Sequence, residues 1–289
     1  MTHDNFLPII DAALAEDVGS GDITSALLIP RETKAQMILV AREPMVVCGT
    51  FVPAMVYGRL HPDIRSEALV EEGALVTKGQ ALVRVSGPAR EVLTGERVVL
   101  NLMQRMCGIA TTTRSYVDAV LGTKAIILDT RKTMPGLRIV DKYAVKTGGG
   151  KNHRMGLYDA VMIKDNHVAL AVTEGGSGIG ALVENVRKKL PASVPVIVEC
   201  DTLEQVYEVV AAKPDRILLD NMDPEGLHRA VEIVAGRVPL EASGGVSLAT
   251  VRAIANTGVD YISIGKITHS APSVDIGADV VFSAHVAKR

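Results

Sequence analysis

The stretch 195–222, PVIVECDTLEQVYEVVAAKPDRILLDNM, decides how this chain is read. Residues 196–198 form a short apolar run suited to a buried strand, 203–212 follow a helical pattern, and 216–219 form a second strand-like run. Strand, helix and strand in that order imply parallel pairing with a right-handed crossover. The same cadence extends in both directions, with apolar runs at 125–128, 160–163, 238–240 and 261–264 and a helical pattern at 224–235. The result is an α/β architecture with a parallel sheet. Every run is followed by polar, chemically capable residues: Asp129-Thr130-Arg131-Lys132, Lys164-Asp165-Asn166-His167, Glu199-Cys200-Asp201, Asp220-Asn221, Glu241-Ala242-Ser243-Gly244-Gly245, and Gly265-Lys266. Carboxyl ends of parallel strands are where an α/β barrel places its site. With six strands in view, the barrel is smaller or more open than the eight-stranded form.

Between the first two runs, positions 131–154 carry seven Lys or Arg (Arg131, Lys132, Arg138, Lys142, Lys146, Lys151, Arg154) and His153 against one acid, Asp141. Charge runs are often only solvated faces. This one lies between two strand-like runs and contains Gly148-Gly149-Gly150, a setting that suits a small polyanion.

The amino-terminal third reads differently. Asp4 or Asn5 can cap a helix with Phe6, Ile9, Ile10, Ala13 and Leu14 on its apolar side, ending before Gly19-Ser20-Gly21, with Asp22 and Thr24 in a loop. Strand-like runs at 37–40, 45–47, 68–70 and 81–85 alternate with Pro and Gly, describing a small β-containing domain. Positions 69–87 resemble half of a lipoyl or biotinyl carrier, but Lys78 precedes Gly79 in an ordinary turn instead of standing at a hairpin tip. A long helix is expected over 91–106 with Gly108 as its stop, and a second over 111–121. Arg97, Asn101 and Gln104 share one polar stripe on the first. Positions 273–289 show a further helical pattern, expected to pack back on the first domain.

The chain has 289 residues, 47% of them hydrophobic, which allows a sizeable core in one large or two smaller domains. Aromatics make up 3%, with no Trp, so stacking platforms for single-stranded nucleic acid are scarce. A formal net charge of −2 also argues against a nucleic-acid partner. Cys48, Cys107 and Cys200 are odd in number and widely spaced, indicating neither a disulfide framework nor a thiolate metal site. The first residues lack the basic leader of a signal peptide, and no apolar run approaches the roughly 18 residues of a membrane span. A soluble, cytoplasmic protein is expected.

Near the last two strand ends, 243–246 (SGGV) and 264–265 (IG) offer small residues and backbone N–H groups suited to a phosphomonoester. Glu199 and Asp220 can hold ribose hydroxyls, bind Mg²⁺, stabilise a cationic sugar, or serve only as structural acids at helix N-termini. Arg131, Lys132, His153, Arg154 and Lys164 supply donors for carboxylates and phosphates. His153 and His167 lack a metal-ligand spacing.

These residues also carry a family likeness. Through EDVGSGDIT (16–24), GERVVLNLMQRMCGIAT (95–111), DTRKTMPGLR (129–138), DKYAVKTGGGKNHRMGLYDAVMIKDNH (141–167), VECD (198–201), LLDNM (218–222) and EASGGV (241–246), the chain resembles the quinolinate phosphoribosyltransferases. The resemblance implies an amino-terminal α/β sandwich domain (1–109, with 273–289 packing back on it) and an open parallel α/β barrel of six to seven strands (110–272). It implies that Arg131, His153, Arg154 and Lys164 receive quinolinate, with Arg97 from a second subunit of a homodimer or higher homo-oligomer. It further implies that Lys132, Glu199, Asp220, Ser243, Gly244, Gly245 and Gly265 handle phosphoribosyl pyrophosphate together with Mg²⁺, with Lys132, Lys164, Glu199 and Asp220 in catalytic roles. Two departures are mild: Cys107 stands where serine is usual, and TEGGSGIG (173–180) lengthens a loop. Two rival readings are a molybdenum-transport-associated paralogue acting on another acidic base, and a non-catalytic phosphosugar binder.

Overall fold

The computed structural model describes residues 2–172 and 178–282. They divide into two compact units: Met1–Arg114, Met134–Gly149 and Ser270–Arg289 in the first, Ser115–Thr133 and Gly150–His269 in the second. Of the 173–180 insert, positions 173–177 lie outside the described residues, as do 283–289.

The chain runs α1 (Leu7–Val18), α2 (Ile23–Leu28), β1 (Lys34–Ala41), β2 (Met45–Val46), α3 (Val52–Leu60), β3 (Arg65–Ala68), β4 (Leu75–Val76), β5 (Ala81–Pro88) and α4 (Ala89–Ala119). Then come β6 (Ile126–Leu128), α5 (Arg138–Thr147), β7 (Val161–Ile163), α6 (Asp165–Val172), α7 (Gly178–Lys189), β8 (Val196–Cys200) and α8 (Leu203–Ala211). The order closes with β9 (Arg216–Asp220), α9 (Pro224–Val234), β10 (Leu240–Ser243), α10 (Val251–Asn256), β11 (Tyr261–Ser263), α11 (Lys266–His269) and β12 (Ile276–Phe282).

In the second unit six strands pair in the order β6-β11-β10-β9-β8-β7, each pair parallel. β6 and β7 are the two ends of the sheet, so this is the open barrel the cadence implied. Lys151 adds a single parallel bridge to Leu128 beyond β6. Ile217, Leu218 and Leu219 are consecutive and all buried, as expected of a parallel strand covered on both faces.

The first unit holds an antiparallel sheet in the order β12-β1-β5-β3 and a two-stranded pair, β2 with β4. Met37, Leu39, Val83 and Val85 bury one face of it. Met134–Gly149, which the sequence reading assigned to the barrel, groups with this unit. Arg138, Lys142 and Lys146 therefore sit on α5, with Lys142 fully buried. The lone acid, Asp141, is buried against Arg105, which donates to its two oxygens at 2.8 and 2.7 Å.

Several expectations need correction. Gly108 does not stop a helix: α4 runs through it. A Cβ there would lie 1.9 Å from the Pro272 carbonyl oxygen, so glycine serves close backbone approach. In the carboxyl-terminal segment Ile276–Phe282 is a strand, not a helix, because it finds an unpaired partner in β1, with Ala35 opposite Phe282 and Ala41 opposite Ile276. Asp22 and Thr24 are not in a loop. The Asp22 carboxylate accepts the Ser25 N–H at 3.0 Å as the N-cap of α2, which contains Thr24. The Ser25 hydroxyl first, and then this backbone contact, hold the Asp22 carboxyl below its ordinary pKa despite the opposing effect of burial.

Candidate active site

One cavity of about 260 Å³ in the second unit is lined by Thr130, Arg131, Lys132, His153, Arg154, Met162, Lys164, Glu199, Leu218, Asp220, Glu241, Ser243 and Ser263. Its charged residues come from the strand ends and from the segment after Gly150. The structure thus brings together eight of the residues singled out from sequence: Arg131, Lys132, His153, Arg154, Lys164, Glu199, Asp220 and Ser243.

Buried Asp129 orders one wall. It follows β6 and accepts the Asn152 amide at 2.6 Å and the His153 N–H at 2.8 Å. Lys151 N–H reaches the Ile127 carbonyl at 2.9 Å, so the 151–153 segment lies alongside β6. Arg154 Nη1 donates to the Ala160 carbonyl at 3.1 Å. Burial, with the charge of Arg131 beside it, shifts the Arg154 pKa downward, while Asp159 opposes the shift. Two guanidinium groups held together in a concave, half-buried place favour an anion that can pair with both.

Asp220 ends β9, and Glu199 stands one residue before the end of the neighbouring β8; both line the cavity. Lys164 Nζ donates to Glu199 Oε2 at 2.5 Å. Asp220 Oδ2 accepts the Asn221 amide at 2.7 Å. Burial raises the Asp220 pKa and Asp201 adds to it, more than Lys164 and Lys132 offset. Asn221 has φ of 54°, and its N–H reaches the Ser243 carbonyl at 2.9 Å. A Cβ on Gly244 would lie 2.0 Å from Asn221 Oδ1, so only glycine fits beside that turn. At Gly265 a Cβ would meet the Lys132 stem at 3.0 Å, while Thr268 Oγ1 donates to the Lys132 carbonyl at 2.8 Å. Gly244, Gly245 and Gly265 leave room and backbone without walling the cavity themselves.

Arg97 is exposed on α4 in the first unit, as is Asn101. Gln104, the third residue of that stripe, is half-buried and donates to the Ile276 carbonyl at 3.1 Å, so its place is structural. Cys107 is structural as well. Its Sγ donates to the Cys48 carbonyl at 3.3 Å and accepts the Cys48 N–H at 3.1 Å, while burial pushes its thiol pKa up to about 12. The sequence reading missed Glu241 as a site residue. It stands in the strand-end pattern, yet nothing local marks it apart from the serine and glycines that follow. Met162, Leu218 and Ser263 also went unmarked, because inward-facing strand residues look like ordinary core.

Among the described residues no group of three or more His, Cys, Asp or Glu is arranged to hold a metal ion. Glu199 and Asp220 still offer two oxygen donors, a set that fits Mg²⁺, which keeps several waters and takes one or two carboxylates plus substrate phosphates. No helix among the described residues is long and apolar enough to cross a membrane.

Family models match both parts of the chain: quinolinate phosphoribosyl transferase, N-terminal domain, at residues 22–107, and C-terminal domain, at 109–279. The chain belongs to the quinolinate phosphoribosyltransferase family. Among its relatives, the nicotinate-nucleotide pyrophosphorylase [carboxylating] of Mycobacterium leprae is 45% identical, over 94% of this chain and 95% of that protein. The probable nicotinate-nucleotide pyrophosphorylase [carboxylating] of Bacillus subtilis is 39% identical, over 98% and 96% respectively. Among solved structures, NadC from Streptococcus pyogenes superposes with a TM-score of 0.92 at 35% identity, covering 98% of both chains. The open parallel barrel is the part of this fold read from the βα cadence, and the small sheet domain the part read from the Pro- and Gly-punctuated strand runs of the amino-terminal third.

Proposed function

We propose that the chain transfers the phosphoribosyl group of phosphoribosyl pyrophosphate to quinolinate with decarboxylation, giving nicotinate mononucleotide, CO₂ and diphosphate in de novo NAD biosynthesis. The observation that carries this reading is a single cavity in which Arg131, His153 and Arg154 share the walls with Lys132, Lys164, Glu199 and Asp220. Two arginines suit a dicarboxylate, and acids beside lysines suit a sugar that becomes cationic as its diphosphate leaves.

In this proposal Arg131, His153, Arg154 and Lys164 orient the pyridine so that its nitrogen meets the anomeric carbon. The new C–N bond forms as the bond to the diphosphate oxygen breaks, and that oxygen keeps the electron pair. Glu199 and Asp220 stabilise the positive charge that develops on the sugar, and Lys132 and Lys164 the negative charge on the leaving group. The ring nitrogen is then cationic, so it accepts electron density when the adjacent carboxyl departs as CO₂ and a proton takes its place. Mg²⁺ bound with the diphosphate would neutralise leaving-group charge, with Glu199 and Asp220 as its protein oxygen donors.

We also infer a shared site in a homodimer, with Arg97 supplied by the partner's α4. Support comes from its exposure on a helix whose apolar face, including Val98, Val99 and Met103, is already buried.

The test is an assay of diphosphate and CO₂ release with quinolinate and phosphoribosyl pyrophosphate. Equal release of both products, dependent on quinolinate, is expected. Turnover with a different acidic base alone would point to the paralogue, and binding of phosphosugar without turnover to the non-catalytic binder. The retained pair Glu199 and Asp220 counts against the latter.

A further inference from the structure

We infer that Glu241 is a positioning residue for the acid-binding half of the cavity, acting through His153 on Arg154; the inference rests on the dicarboxylate assignment above. Glu241 lies within β10 and is completely buried. Arg216, at the start of the neighbouring β9, donates to its Oε2 at 2.8 Å and also stacks over the Tyr261 ring at 4.1 Å. His153 Nε2 lies 3.4 Å from that same Oε2.

The hydrogen bond at the other ring nitrogen of His153 fixes which way the ring faces. Nδ1 accepts the Arg154 N–H at 2.6 Å, so in the neutral ring the proton sits on Nε2, facing Glu241. With the His153 N–H held by Asp129 at 2.8 Å, the backbone from which Arg154 projects is pinned through its neighbours. Arg216, Glu241 and His153 form a polar line from the amino-terminal end of β9 to the cavity wall. Burial would disfavour the Glu241 carboxylate, but His153 and Arg216 more than compensate and hold its pKa below the ordinary range. A buried acid kept only for stability would need Arg216 alone. The contact with His153 is the part a structural role leaves unexplained.

The test is a double-mutant cycle on the intact protein, with quinolinate and phosphoribosyl pyrophosphate affinities measured by calorimetry for E241Q, H153A and the double variant. E241Q is expected to weaken quinolinate by roughly tenfold or more, with phosphoribosyl pyrophosphate affinity unchanged. The double variant should be no worse than the weaker single, because both break the same link. Additive losses, or unchanged quinolinate affinity in E241Q, would overturn the assignment. Should E241Q fail to fold, R216K carries the same cycle against H153A. Nitrogen-15 spectra of the histidines give a reading that needs no ligand: His153 protonated on Nε2 in the wild type supports the assignment, and Nδ1 protonation refutes it. Wild-type protein that binds no quinolinate would instead count against the proposed function, while the spectrum still decides the link to Glu241.

Discussion

Lys164 and Glu199 meet at 2.5 Å, joining the residue after β7 to the penultimate residue of the adjacent β8. The pair holds a cation and a carboxylate together on the cavity wall. Glu199→Gln keeps the shape and removes the charge. Quinolinate affinity should stay within roughly threefold while turnover falls on the order of 100-fold, since the lost interaction belongs to the transition state. Calorimetry with steady-state kinetics checks this, and near-normal turnover would refute the role.

Asp220 links chemistry to stability with opposite signs. Burial first, then Asp201, raises its pKa above the ordinary 3.8. A carboxyl with a raised folded-state pKa loses stability as pH climbs through that pKa, so at neutral pH its charge opposes folding. Asp220→Asn should therefore raise Tm at neutral pH while turnover drops on the order of 100-fold. The gain should shrink as pH falls through that raised pKa toward 3.8, because folded wild-type Asp220 is protonated before the ordinary value is reached. Calorimetric scans across that range decide it; a lower Tm at neutral pH would be the wrong sign.

Gly108→Ala sets helix propensity against packing. Propensity alone favours alanine by about 1 kcal/mol in a helix interior. The new Cβ would sit 1.9 Å from the Pro272 carbonyl oxygen, a clash with backbone instead of a flexible side-chain end. Overpacking of that kind costs about 1 to 3 kcal/mol or more, so the net effect should be destabilising. Denaturant midpoints give the answer.

Arg97 can be tested without measuring binding. Arg97→Ala and Lys132→Ala should each be inactive alone. Unfolded together and refolded, random pairing leaves one intact site in each mixed dimer, which restores about a quarter of wild-type activity if Arg97 acts in trans. No recovery in a mixture shown by mass to contain mixed dimers would end the shared-site proposal.

The barrel was legible because its strands are apolar runs such as 196–198 and 216–219, and because their polar residues cluster at the carboxyl ends. Local signals were misleading where a distant segment sets the structure. Gly108 looks like a stop until Pro272 is brought beside it, and 276–282 looks helical until β1 offers a partner. Arg138, Lys142 and Lys146 looked like part of a basic site, but α5 carries them into the other unit. Glu241 stood in the strand-end pattern without being singled out for a related reason: the role inferred for it lies in contacts with Arg216 and His153, 25 and 88 positions away.

The pairing of β12 with β1 has a consequence for biosynthesis. β1 is complete after Ala41, yet one of its edges must wait for Ile276–Phe282, far downstream in the chain. Until that segment has been made, the edge presents unpaired backbone groups, a template for another nascent chain. Truncated products that stop before Ile276 should therefore aggregate through β1 even though most of the barrel sequence is present.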